Sequence, residues 1–186
     1  MKKLLLFAIP LLLLINGCLT YEGSQGVIIP PKNNDAGKIS IQYFNIVSSD
    51  TLPNKIENDF EELIDIYNGD EFLLDQTDEG IYIKSRQLKL NGNQIDGGYS
   101  GIFKNFSEME GFSEDDKQIM FKIDNDFEVV STNGKIAEIG EQRYIVWKRG
   151  TERMEWKFKT VNLEQENRSG LSSYLKKYMK DNPDQF

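Results

Sequence analysis

Between Gln118 and Thr160 apolar and polar side chains alternate in short runs separated by turn residues, and this alternation restricts the chain more than anything else in it. A two-residue period places successive side chains on opposite faces of an extended backbone. Met154, Trp156 and Phe158 alternate with Glu155, Lys157 and Lys159, the cleanest such stretch. The pattern predicts strands over 118–123, 127–132, 135–139, 144–148 and 153–160. Asn133-Gly134, Gly140-Glu141 and Arg149-Gly150 supply hairpin turn chemistry between them. An antiparallel meander with one wet face is the expected arrangement.

Upstream the periods are mixed. Ile39, Ile41 and Tyr43 alternate with polar neighbours, which predicts a strand over 38–47. Ile56, Phe60, Leu63, Ile64 and Tyr67 recur at helical spacing between Pro53 and Asn68-Gly69, so an amphipathic helix is expected there, with Glu57, Asp59, Glu61, Glu62 and Asp65 on its wet side. Strands are expected over 72–75 and 80–90 around a polar turn at 76–79, with Asn91-Gly92 closing the second. Asp96-Gly97-Gly98 reads as a loop, 99–106 has no clear period, and the acidic stretch 110–117 reads as surface loop. Near the end, Leu171, Tyr174, Leu175, Tyr178 and Met179 form one stripe, with Ser169 as its N-cap and Lys176, Lys177 and Lys180 complementing the C-terminal dipole. The predicted class is α+β: a mostly antiparallel sheet with one packed amphipathic helix and a C-terminal helix.

Composition removes several function classes. The chain has no histidine, and its one cysteine is Cys18. Ser-His-Asp and Cys-His nucleophilic sites, His or Cys zinc sites and intrachain disulfides are therefore out of reach. No cofactor motif is present, so chemistry would have to use carboxylates, lysines or hydroxyls. The formal charge of −8 argues against nucleic acid as a partner, and against attraction of the domain as a whole to anionic headgroups.

The N-terminus reads as a targeting segment. Lys2 and Lys3 precede an apolar run from Leu4 to Ile15, followed by Asn16, Gly17 and Cys18. As a helix the run is about 18 Å long against a hydrocarbon core of about 30 Å, too short to span. Ile15-Asn16-Gly17-Cys18 resembles the lipobox of bacterial lipoproteins, with an aliphatic residue three before the cysteine and a small one directly before it. That resemblance, carried by the first 18 residues, implies that residues 1–17 are a signal peptide removed by cleavage. It also implies that Cys18 takes a diacylglyceryl group on its thiol and becomes the acylated, palmitate-type lipid anchor. Leu19, standing where an aspartate would retain such a protein in the inner membrane, implies the outer membrane of a diderm cell. Without residues 1–17 the chain carries 20 basic against 30 acidic side chains, or about −10. Residues 18–37, rich in breakers, read as the lipidated N-terminus and a flexible tether with an r.m.s. reach of about 24 Å, interrupted by Val27-Ile28-Ile29 as a segment able to dock as a strand. Residues 38–168 are then the globular domain and 169–186 the C-terminal helix.

Candidate sites are few. Asp124 and Asp126, with Glu114, Asp115 and Asp116, offer oxygen ligands, but the twelfth residue counted from Asp124 is Lys135, which breaks the EF-hand pattern, so no metal is expected. The carboxylates of the first helix offer an acid and base pair without the burial a catalytic acid needs. Trp147 and Trp156 offer a stacking platform, against the simpler reading as core. Lipid attachment at Cys18 is the one site assigned. The expected function is that of a membrane-anchored envelope lipoprotein acting as a non-enzymatic binding or scaffolding module, with a protein partner in the envelope; the alternative is a carboxylate-dependent hydrolase of glycans.

Overall fold

The computed structural model describes residues 19–32, 35–161 and 168–185. Cys18 and the leader lie outside them. The coarse expectation holds: the chain is α+β, dominated by antiparallel strands.

Residues 19–29, expected within a tether, instead form β1 (Leu19–Ile29), a central strand of the larger sheet. β1 pairs on one side with β2 (Gly37–Ser48) along its whole length and on the other with β10 (Met154–Thr160). Its glycines hide the pattern. Gly23 and Gly26 have no side chain to mark a buried face, yet Ile28 is wholly buried and a Cβ at Gly26 would stand 2.0 Å from the Trp156 ring. The larger sheet runs β3-β4-β2-β1-β10-β7, where β3 is Ile81–Asn91, β4 Gln94–Phe103 and β7 Phe127–Thr132. A two-residue strand, β11 (Ser169–Gly170), pairs with the end of β2. The smaller sheet runs β5-β6-β9-β8, from Phe112–Glu114, Gln118–Ile123, Gln142–Lys148 and Lys135–Ile139.

The meander is thereby corrected. Gly140-Glu141 does turn a hairpin, between β8 and β9, but Asn133-Gly134 and Arg149-Gly150 carry the chain from one sheet to the other. Asn133 supports its crossing by accepting hydrogen bonds from Trp147 Nε1 (2.8 Å) and the Glu155 N–H (2.9 Å). Asp96-Gly97-Gly98 lies inside β4 rather than in a loop. A Cβ at Gly98 would stand 2.4 Å from the Ile41 carbonyl, so glycine serves close strand approach there.

Three helices are described. α1 (Pro53–Asn68) buries Phe60 and Leu63, and its C-terminus is held by Arg86 of β3, which donates to the Ile66 and Gly69 carbonyls at 2.9 and 2.6 Å. α2 (Glu71–Asp78) replaces the strand expected over 72–75. Three consecutive apolar residues fit neither period: in the helix Phe72 is buried against Tyr99, whereas Leu74 is 66% exposed. α3 (Ser172–Asp181) starts after Leu171, with no side-chain cap; Ser169 is in β11. Leu171 and Leu175 are buried, so α3 is part of the domain.

The larger sheet has one covered face. The cross-strand pairs Tyr99–Ile41, Ile41–Gly26 and Gly26–Trp156 trace it across four strands. The helices cover the β3-β4 side, and the smaller sheet covers the β10 side, with Phe121 of β6 5.0 Å from the Trp156 ring. Among the described residues, no helix or strand lies on the opposite face.

Candidate functional site

Where the two coverings meet, three tyrosines stand on neighbouring strands: Tyr21 of β1, Tyr43 of β2 and Tyr99 of β4. A local irregularity brings them together. Asn45 has φ +51, a conformation asparagine tolerates, and its N–H turns to Asp96 Oδ1 at 3.0 Å. On passing Asn45 and the facing Glu22, both strands change which alternate residues point inward: Tyr21 and Ile46 before, Ser24 and Tyr43 after. The Tyr21 and Tyr43 rings then lie 4.8 Å apart. Burial pushes all three phenols upward. A neighbouring tyrosine adds to this at Tyr21 and Tyr99, and the Glu79 charge adds at Tyr43, so the hydroxyls stay neutral.

This tyrosine ridge divides two hollows. One, of about 90 Å³, opens beneath α1 and α2, with Leu19, Ile46, Leu63, Tyr67, Phe72 and Leu88 among its walls. Arg86, its one charged wall residue among the described residues, is engaged with the α1 carbonyls. The other, of about 50 Å³, lies under the smaller sheet and admits polar groups from Ser24, Glu110, Lys122 and Asp124 among aromatic walls.

Beside the ridge is a carboxyl pair that no sequence pattern announced. Glu79 ends α2 and Glu110 precedes β5, and their side chains are within hydrogen-bonding contact. Burial, followed by the Glu110 charge, raises the Glu79 carboxyl to about 7, opposed by Gln76, whose Nε2 donates to it at 3.0 Å. Asp75 adds a smaller upward push. Two other buried polar atoms here, Gln76 Oε1 and the Tyr99 hydroxyl, have no hydrogen-bond partner among the described residues; Tyr43 approaches that hydroxyl without good hydrogen-bond geometry. With Glu79 protonated, turning the Gln76 amide over lets the carboxyl O–H donate to Oε1.

A pH dependence follows. The folded chain keeps the Glu79 proton to about pH 7, whereas the unfolded chain loses it near 4.5. The resulting stabilisation is complete below the lower value and is lost as pH rises through this interval. Glu79 is only half-buried, so solvent screening reduces the effect to about 1 kcal/mol. Urea unfolding below and above the interval should show that loss in the native chain, and Glu79→Gln should flatten it.

The residues singled out from sequence lie elsewhere. Asp115 accepts the Lys117 and Gln118 N–H groups at 2.7 and 2.9 Å, which pulls its carboxyl below the usual range, and Glu114 pairs with Arg149 at 2.8 Å. Among the described residues, no group of three or more acidic side chains is arranged to hold a metal ion. On α1, Asp59 is not on the wet face: it is 5% exposed and accepts a hydrogen bond from Ser48 of β2. Glu62 is raised by burial first and then by Asp59. Trp147 and Trp156 are 2% and 4% exposed with rings 6.2 Å apart across the two sheets, so neither presents an open platform. Glu79 and Glu110 were missed because each sits in a locally unremarkable polar stretch; only the docking of α2 beside the β5 loop brings them together. No family model matches this chain, and no curated protein or solved structure does either.

Proposed function

We propose that the mature chain is an envelope lipoprotein, held by acyl groups on Cys18, whose domain works as a non-enzymatic binding module at the membrane surface. The observation that carries the binding half is the apolar hollow under α1 and α2, whose Arg86 already serves the fold. At about 90 Å³ it is smaller than a cavity of roughly 150 Å³ that takes benzene, so it suits one inserted aliphatic side chain or chain end. Such a pocket is the usual seat of an interface anchor residue.

The glycan-hydrolase reading keeps one favourable observation, a carboxyl raised to about 7 beside a second carboxylate. It ranks second because the two groups touch, whereas glycosidic chemistry needs carboxyls roughly 5 to 9.5 Å apart, with the sugar between them.

The anchor is tested by Cys18→Ser. The variant should remain as uncleaved precursor without acyl label, read by intact mass; normal maturation and membrane partition of the variant would sink the reading. Binding is tested with a photo-crosslinking residue at Thr20, on the wall of the hollow, in the otherwise native chain. A discrete adduct that disappears when Leu63→Trp fills the hollow supports it, and an unchanged adduct refutes it.

A further inference from the structure

The uncovered face of the larger sheet is cationic in an acidic protein. Lys38 on β2, Lys84 on β3, Lys104 just past β4, and Lys157 and Lys159 on β10 are all exposed on it. Among the described residues none of the five is in an ion pair. Of the acidic residues sharing the face, Asp96 near the start of β4 accepts hydrogen bonds from Asn45 and Asn91, Glu155 is paired with Arg153 at 2.6 Å and Glu22 with Arg168 at 3.2 Å, while Glu128 of the edge strand β7 is the direct cross-strand neighbour of Lys159. The acidic excess of the chain therefore lies elsewhere, including on α1 and α2.

Between the lysines the face mixes polar residues, Gln25, Ser40, Gln42, Ser85 and Ser100, with apolar and aromatic ones. Ile29 and Tyr82 are 40% and 38% exposed, and Val27, Ile102 and Phe44 are half-buried. Lys104 Nζ stands 5.9 Å from the Tyr82 ring centre and Lys157 Nζ 5.5 Å from that of Phe44, so cation and ring are presented together. Lysines set beside partly exposed rings, with small polar side chains between them, suit a headgroup layer, where the charge meets phosphate and the rings meet the acyl boundary.

The start of the chain selects the occupant. β1 is hydrogen-bonded to β2 from Leu19, the residue directly after Cys18. One peptide link, about 3.8 Å between Cα atoms, is all that separates an anchor on Cys18 from a central strand. The domain then has no spacer with which to stand off the bilayer.

We infer that this sheet face, with Lys38, Lys84, Lys104, Lys157 and Lys159 among its cations, rests on an anionic phospholipid surface, while α1, α2 and α3 face away from it. The inference rests on the lipoprotein reading, because the anchor supplies the proximity. It differs from the expectation set by net charge, because in it the bilayer meets a segregated face and not the average.

The test uses the mature acylated chain in phosphatidylcholine vesicles with and without phosphatidylglycerol, labelled with a water-soluble acetylating reagent and read lysine by lysine by mass spectrometry. Lys177 and Lys180 on α3 are the internal controls. The five face lysines should label several-fold more slowly in the anionic vesicles while the controls do not change, and added salt should abolish the difference. Lys84→Glu with Lys157→Glu, both at exposed positions, should abolish protection of the remaining three. Equal labelling in the two vesicles overturns the inference, as does protection that appears only in native envelopes, which would assign the face to an acidic protein. Intact mass of the same sample separates the failures: an unmodified Cys18 sinks the anchor, and an acylated Cys18 with unprotected lysines sinks the face alone.

Discussion

Replacing Gly26 by valine should lower stability by about 3 kcal/mol or leave the domain unfolded. The Trp156 indole occupies the space into which a side chain at Gly26 would grow, with ring atoms 2.0 to 2.5 Å from a Cβ. Trp156 cannot withdraw, because the Phe121 and Phe158 rings pack on it at 5.0 and 6.4 Å. Urea unfolding followed by tryptophan fluorescence reads the loss directly. Ile28→Ala, two residues on and fully buried, should cost about 2 to 4 kcal/mol through the cavity it leaves. A tether would tolerate both changes, so two native-like midpoints would refute the placement of β1 in the sheet.

Trp156→Ala is expected to cost about 3 to 5 kcal/mol, as large aromatic truncations in cores do. Its ring also meets Phe112 and Trp147, so the cavity would open where the two sheets and the second hollow converge. Trp156→Phe, which keeps an aromatic body, should recover more than half of that loss. An indole serving as an external ligand platform would give the opposite result, with little change in the midpoint. Equal melting of Trp156→Ala and the native chain would therefore overturn the core assignment.

Much of the strand content was readable in advance because alternation is a local property. Ile39, Ile41 and Tyr43 announced β2, and Met154, Trp156 and Phe158 announced β10, since each inward position carries a large apolar side chain. β1 concealed itself because its inward positions include Ser24, which faces Phe158, and Gly26, over which Trp156 lies. β4 did so because Gly97 and Gly98 resemble a turn while serving close packing against Ile46 and the Ile41 carbonyl. The α2 segment is too short for periodicity to separate helix from strand. Of the site, the sequence supplied thirty acidic residues with nothing to distinguish Glu79 and Glu110 among them.

By itself the sequence determined which classes of chemistry are closed to this chain, through the absence of histidine and the solitary cysteine, and which side of most strands is dry, through side-chain size and polarity along a two-residue period. Only the tertiary structure decided which strand lies beside which, that two of the three turns change sheets, and that the lysines gather on one uncovered face. Turn residues specify a reversal of direction but carry no information about the partner, and strand pairing is settled by side chains far apart in sequence filling one another's space.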